Sequence, residues 1–491
     1  MRLRQHVLIA ALALTGSASV AGQGNEAYRF IRQAAEAGDA EAQARLGWMY
    51  EQGDGVAQDA AEAARWYTLA AQQGDAVGQY NLALMLLHGR GVARDERLAA
   101  QWLTRAAQQG LAPAMTQLAE LYERGLGVTR DASKAVEWLT RAAQQGDATA
   151  MNNLALRLLQ GDGLPADGQQ ALAWLRRAAE AGHADAMGNL GLVLRDGLGG
   201  VARDPAAAAR WLGQAAAAGH TPSYYAYALL LEKGEGVGRD VNEAMRVYRR
   251  AAESGDSAAA LRLAWLLETG AAGSPDAATA LIWYTQAAEA GDASAQNHLG
   301  RIYREGRLVP ADHAKARHWF GRAAERGDAT ARYNLGLMEE LGQGGSKNEA
   351  AAFEHYRYAA QQGVVAAQGR LGLLLHRSGQ TGEAIQWLTR AAEAGDVAAA
   401  NNLGVILEQG RGVPPDPARA AHWYRKAAEA GDRVAQNNLG VLYRDGRGVP
   451  KDWNQAKHWF RRAAEAGYPK AQLNLGLLLD AEAKAAKAAG K

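Results

Sequence analysis

An Ala-Ala pair followed three residues later by Gly returns thirteen times along this chain of 491 residues. The corner glycines are Gly38, Gly74, Gly110, Gly146, Gly182, Gly219, Gly255, Gly291, Gly327, Gly363, Gly395, Gly431 and Gly467. Ten of the twelve steps between them are 36 residues, one is 37 and one is 32. A fixed period of this size implies stacked supersecondary units, each burying its apolar face only against its neighbours. Length alone would suggest about three domains, but the repeat replaces that expectation with one extended array. A binding surface is then the first functional expectation and a catalytic pocket the second.

Residues 39–74 illustrate the unit. Asp39, after the corner Gly38, is placed to N-cap a helix. Ala42, Leu46, Gly47 and Tyr50 share one face of that helix, helix A. Gly53-Asp54-Gly55-Val56 ends it, with glycine as a left-handed C-cap and Val56 plugging the turn. Asp59 and Glu62 then have capping-box spacing for a second helix, helix B, whose apolar stripe is Ala63, Trp66, Ala70 and Ala71. Each repeat therefore reads as a helical hairpin. Alanine stands three residues before the Trp66 slot in every unit, and small residues at fixed spacing let helix axes approach closely. The slot holds Trp66, Trp102, Trp138, Trp174, Trp211, Trp283, Trp319, Trp387, Trp423 and Trp459, with Val247 and His355 as exceptions. A large ring against several methyls is a core-packing device, so these tryptophans are expected to be structural.

The motif Ala-x-x-x-Leu-Gly-x-x-Tyr, then Gly-x-Gly-Val-x-x-Asp, then Ala-x-x-Trp-Tyr-x-x-Ala-Ala-x-x-Gly resembles the Sel-1-like repeat family, relatives of the tetratricopeptide repeats. Residues 42–74 and 435–467 carry it most closely, and the resemblance covers nearly all of 24–480. It implies an all-α, right-handed α/α superhelical solenoid that serves as a protein-binding scaffold, often exported and envelope-associated in bacteria. The family has no common catalytic residues to carry over. Twelve repeats are delimited: 39–74, 75–110, 111–146, 147–182, 183–219, 220–255, 256–291, 292–327, 328–363, 364–395, 396–431 and 432–467. Half-repeats flank them at 22–38 and 468–491.

Composition removes several function classes. Lys and Arg number 54 against 52 Asp and Glu, a net charge of +2, with no polybasic block; nothing favours nucleic acid or a membrane surface. The chain has no cysteine, so disulfides and thiolate chemistry do not arise. Residues 1–21 read as a secretory signal peptide: Arg2, Arg4 and His6 are basic, Val7–Leu14 is a short apolar run, and Ser17-Ala18-Ser19-Val20-Ala21 suits cleavage after Ala21. The mature chain is expected in a periplasm or outside the cell, with no integral membrane segment.

The position before the helix A leucine is the main candidate for function. It holds Asn81, Asn153, Asn189, Asn334, Asn402, Asn438 and Asn474. A second Asn precedes it at Asn152, Asn401 and Asn437, and Asn297 occupies that same slot. Asparagine is a mediocre helix former, so repeated use in mid-helix needs a reason. Its amide suits a peptide backbone, and in the related tetratricopeptide repeats an Asn at this place faces the groove; the alternative is an amide tying neighbouring helices together. Three tryptophans fall outside the slot. Trp48 and Trp265 share an apolar helix A position that favours core packing, whereas Trp453, after Asp452, is the expected exposed anchor. The irregular segment 341–382 reads either as a change of superhelical pitch that could serve as a hinge, or as a neutral deletion absorbed by a loop. The Ala/Lys-rich stretch after Asp480 reads as a solvating end cap or frayed helix.

Catalytic signals are weak. Most Asp residues fall at caps. His318, His422 and His458 each precede a slot Trp in separate repeats and form no metal-ligand spacing. The glycine-rich loops follow helices rather than strands. No metal, cofactor or catalytic residue is assigned. The expected function is non-catalytic binding of a protein or extended peptide along a face lined by helix A. Two other readings stay open: an envelope regulator that binds peptidoglycan or a peptidoglycan-acting enzyme, and an enzyme whose site is composed from several repeats. A glycan would need exposed aromatics at regular spacing, for which Trp453, Tyr80, Tyr225 and Tyr333 are available.

Overall fold

A computed structural model describes residues 23–489; the expected signal segment, residues 1–21, lies outside them. Among the described residues there are 26 α-helices, one short 3-10 turn and no strand. Nearly every helix between the two ends is 13 residues long, as expected where the same caps recur at a fixed period. The chain divides into two compact units, Met1–Ser254 and Gly255–Lys491. Within each, every helix packs on the next along the chain, so both units are solenoids of helical hairpins. No helix among the described residues is long and apolar enough to cross a membrane.

The caps follow the sequence. Asp39 Oδ1 accepts from the Ala42 amide at 2.7 Å, and Asp59 Oδ1 accepts from the amides of Ala61 and Glu62. Gly53 ends helix A in the left-handed region, at φ 75°. Leu111 and Val364 replace the helix A cap in two repeats and supply no side-chain bond. His183 replaces it in another, accepting from the Ala186 amide through Nδ1.

The second glycine of Gly-x-Gly has a role that turn chemistry alone does not reveal. A Cβ on Gly91 would lie 1.9 Å from the carbonyl oxygen of Ala60, the first residue of helix B in the preceding repeat. Gly127 meets Glu96 in the same way, and Gly448 meets Pro417. The loop backbone is thus seated directly on the neighbouring helix, which leaves no room for a side chain.

The deepest core position is the residue after the Trp slot. Tyr67, Leu103, Leu175, Leu212, Tyr248, Tyr284, Phe320, Tyr356, Leu388 and Phe460 are each 0% exposed. The glycine of the helix A Leu-Gly pair receives this side chain: a Cβ on Gly404 would stand 2.6 Å from the Tyr424 ring, and one on Gly440 2.7 Å from Phe460. The slot tryptophans pack against the core but lie nearer its edge. Trp66, Trp319, Trp423 and Trp459 are buried, whereas Trp102, Trp138, Trp174, Trp211, Trp283 and Trp387 are half-buried. A guanidinium three residues on covers several of these rings, with Arg105 4.5 Å from the Trp102 centroid and Arg141 4.9 Å from that of Trp138. Long cationic side chains can shield a partly exposed ring in this way.

Two single tryptophans differ from expectation. Trp453 is half-buried rather than exposed; it packs on the cluster of Ala456, Phe460 and Leu478, and its Nε1 is enclosed. Standing at the start of its helix B, it folds back over the last helix. Trp265 is the exposed one, at 40%, with the Arg262 guanidinium 4.3 Å from its ring. In the shortened repeat the hairpin packing is retained, with Leu388 against Gly372 and Ala384 fully buried. The last helix, Pro469–Ala489, runs on through the Ala/Lys-rich segment, held to the preceding helix by an ion pair between Lys457 and Glu482 at 2.8 Å.

Candidate functional site

Three successive A helices of the first unit, Ala76–His88, Ala112–Arg124 and Ala148–Gln160, line a cavity of about 530 Å³. Its apolar floor comes from Tyr80, Ala119, Leu139 and Leu156, and its polar wall from Thr116, Gln117, Glu120, Thr149, Asn153 and Arg157. Helix periodicity explains the set: Pro113, Thr116, Gln117, Glu120 and Arg124 recur at three- and four-residue steps on one face. Arg157 is buried and bridges two elements, reaching Glu123 at 2.7 Å and Asp162 at 2.6 Å. Burial of a guanidinium is tolerable only with such pairing. Gln117 donates to Glu120, which also pairs with Arg124 at 2.8 Å.

Of the asparagines singled out, Asn153 lines this cavity. Others bond to one another across neighbouring A helices. Asn189 donates to Asn152 at 2.8 Å, Asn334 to Asn297 at 2.9 Å, Asn474 to Asn437 at 2.8 Å and Asn438 to Asn401 at 3.4 Å. Asn334 also accepts from Arg304 at 2.9 Å. Asn81 is buried, and Asn402 is half-buried beside its ladder. Each amide has two donors and an acceptor with two lone pairs, so a bond to the next repeat leaves capacity for a further contact.

A second network escaped sequence reasoning. Wherever the deepest position is Tyr, helix A carries a Glu 16 residues earlier and the hydroxyl donates to it: Tyr67 to Glu51 at 2.9 Å, Tyr248 to Glu232 at 3.0 Å, Tyr284 to Glu268 at 2.6 Å, Tyr356 to Glu340 at 2.7 Å and Tyr424 to Glu408 at 2.7 Å. In three of these five cases the following repeat sends a loop arginine back to the carboxylate: Arg90 to Glu51 at 3.1 Å, Arg307 to Glu268 at 3.0 Å and Arg447 to Glu408 at 2.8 Å. These arginines follow the glycine that ends helix A. The co-occurrence of Tyr and Glu was the available signal. Burial, reinforced by the neighbouring carboxylate, pushes the hydroxyls of Tyr67, Tyr284 and Tyr424 well above the usual tyrosine range. Burial opposes charge on Glu268, but Tyr284, His298 and Arg307 outweigh it and hold the carboxyl below its usual range.

The remaining candidates separate. His318, His422 and His458 are exposed and meet their neighbouring tryptophans edge-on. No metal-binding group of His, Asp or Glu occurs among the described residues. Of the aromatics available to a glycan, Tyr80 is 3% exposed. Tyr225 leans on Tyr248 and Tyr333 on Tyr356, with ring centroids 5.6 and 5.7 Å apart.

Hairpins stacked at a nearly constant period, with small-residue contacts between their helices, define an α/α helical-repeat solenoid. The chain belongs to the Sel1 repeat family, whose model matches thirteen consecutive segments that cover residues 10–468 without a break. Among solved structures it is similar to c5321, a protective antigen present in uropathogenic Escherichia coli strains that displays the same fold. The identity is 33% over 92% of this chain and 90% of that one, with a TM-score of 0.71. A Sel1 repeat protein from Oxalobacter formigenes shares 32% identity, covering 50% of this chain and 96% of its own, at a TM-score of 0.44. No curated protein matches the chain. Sel1-repeat solenoids are typically protein-interaction scaffolds.

Proposed function

We propose that this protein binds an extended segment of a protein partner along the helix A groove, without catalysis. The observation that carries this reading is the cavity spanning three A helices, where polar side chains on successive turns surround an apolar floor. An extended peptide presents a backbone donor and acceptor at each residue, which suits Gln117, Thr149 and Asn153. Ion pairs and amide ladders already fix much of the frame, so the protein loses little freedom when a ligand binds. A photo-reactive residue at position 117 or 153 should trap one and the same partner, and the same residue at Gln169 on the opposing helix B should not. Equal trapping at 169 would refute the groove. Asn402 and Asn438 extend the proposal to the second unit. Their conversion to Ala should weaken that unit's partner severalfold if each contributes about 0.5–1.5 kcal/mol.

We also propose export by the N-terminal segment, with Gly22 as the first mature residue. The basic, apolar and small-residue regions described above support it. N-terminal sequencing of the protein from its host would test it, an intact Met1 being the contrary result.

A further inference from the structure

Trp265 is the one exposed tryptophan of the thirteen. It stands on helix A Ser257–Thr269, one residue after the small Ala264. At that position in the first unit, Glu120 and Leu156 line the cavity. The Arg262 guanidinium, 4.3 Å from its ring, braces the indole from one side. Two repeats further on, Leu341 is 58% exposed. It is the last residue of helix A Ala329–Leu341, a place held in the cavity by Arg124 and Gln160. A single exposed apolar side chain needs no explanation; these two both fall in the register that lines a groove in the first unit.

Between them the face is basic. Helix A Ala293–Glu305 puts Arg301 at the position of Trp265. Glu305 is shared by Arg301 at 3.6 Å, Arg304 at 2.8 Å and Arg307 at 3.1 Å, and Arg307 also reaches Glu268. Further along, Glu340 is shared by Arg370 at 3.6 Å and Arg377 at 3.3 Å. These five guanidiniums meet only Glu268, Glu305 and Glu340, so two positive charges are left over. Of the three arginines on Glu305, Arg301 makes the longest pair, and its side chain is 44% exposed. The first unit's cavity has the opposite balance, with Glu120, Glu123, Asp147 and Asp162 against Arg124 and Arg157.

We propose that the helix A face of the second unit binds an acidic segment of a protein partner, Arg301 taking a carboxylate between apolar side chains seated at Trp265 and Leu341. The inference rests on the groove reading only in taking helix A as the binding face; the charge and spacing of the ligand are its own. Charge complementarity selects the acidic segment, and a guanidinium–carboxylate bond is among the stronger polar contacts. Tryptophan and arginine are also the side chains that most often dominate binding energy. Neighbouring A helices touch here, Asn334 donating to Asn297, and packed helix axes lie about 8–10 Å apart. Three residues of polyproline II span about 9 Å and return to the same side of the chain. The fitting segment therefore carries apolar, acidic and apolar side chains at every third residue.

Fluorescence anisotropy of the whole chain with labelled Leu-Pro-Ser-Glu-Pro-Ser-Leu tests this, titrated to about 1 mM, the limit of weak binding. Replacing Glu by Lys, or both Leu by Ser, should weaken the peptide about tenfold. Trp265→Ala should have an effect of similar size, and Trp265→Phe a smaller one. Arg301→Glu should reverse the preference, so that the Lys peptide binds better than the Glu peptide. Both side chains are largely outside the core, so melting curves should match the wild type. Absence of binding to the Glu peptide, no preference between Glu and Lys, unchanged affinity in Trp265→Ala and Arg301→Glu, or equal binding of a DNA oligonucleotide would each overturn the proposal. The groove reading is scored apart, by trapping at positions 117 and 153. Trapping there without a Glu preference here removes this inference alone. Glu-peptide binding that is lost in Trp265→Ala, without trapping at 117 or 153, upholds it while the first-unit groove falls.

Discussion

Gly89 and Gly91 stand two residues apart in one loop, and substitution by Ala should affect them very differently. Both are left-handed, at φ 64° and 68°. That conformation costs an L-residue about 1–2 kcal/mol, and at Gly89 little else is added, because a Cβ would stand 3.5 Å from Arg94 in ordinary contact. At Gly91 it would stand 1.9 Å from the Ala60 carbonyl oxygen and 2.3 Å from its carbon. Backbone cannot swing aside as a side chain can, so the loop must lift off helix B of the preceding repeat. Overpacking of this kind adds about 1–3 kcal/mol, giving a total near 2–5 kcal/mol. Because coupling in a solenoid is between neighbours, the loss should concentrate in residues 39–110 and spare the second unit. Amide hydrogen exchange reads this directly, and a long array need not unfold in two states. Equal protection of 39–110 in Gly89→Ala and Gly91→Ala would show that the loop is not seated as described.

Other tests address separate features. Tyr424→Phe leaves Glu408 with Arg447 but removes its hydroxyl donor, and should cost about 0.5–1.5 kcal/mol locally; Phe460→Tyr, which buries a hydroxyl with Arg444 where the tyrosine-bearing repeats have Glu, should cost about 1–3 kcal/mol by the same exchange measurement. Asn334→Ala should destabilise its hairpin by about 1–2 kcal/mol through loss of the Asn297 and Arg304 bonds, and an unchanged melt would argue that the ladder is energetically idle. Burial holds His298 and His355 below the usual histidine range. Their neutral forms therefore stabilise the fold above the unfolded-state pKa near 6.5, and this contribution is lost as pH falls from there through the folded values. Protection around these residues should drop between pH 7 and 5, and His298→Gln should flatten the change near its own hairpin.

The hairpins, their caps and their period were legible because each depends on residues close in sequence: a carboxylate two or three positions before an amide, a glycine at a helix end, methyls on one turn. Helical periodicity also marked the buried face, but not depth within it. Trp66 and Tyr67 both point inward, and only the partner helix decides that the smaller ring goes to the bottom, against Gly47. The second glycine of the loop and the Tyr-Glu-Arg relay depend on another helix or another repeat, which no single-helix pattern encodes. The repeated asparagines were conspicuous, yet their sequence could not separate a bond to Asn152 from a bond to a ligand. Trp453 was misplaced because a cap position on an inner repeat faces solvent more readily than one beside the final helix.

The relay bears on how such a chain can lengthen. Glu51, Tyr67 and Arg90 extend over 39 residues, more than the 36 of the period. A tandem duplication of one period therefore never copies a whole relay; it copies a donor for the block before it and an acceptor for the block after. A relay forms across a new junction only where the loop arginine and the helix A glutamate meet there. A block carrying a loop arginine and placed directly after the repeat of Leu87, where the other relays have their Glu, would leave that arginine without its carboxylate.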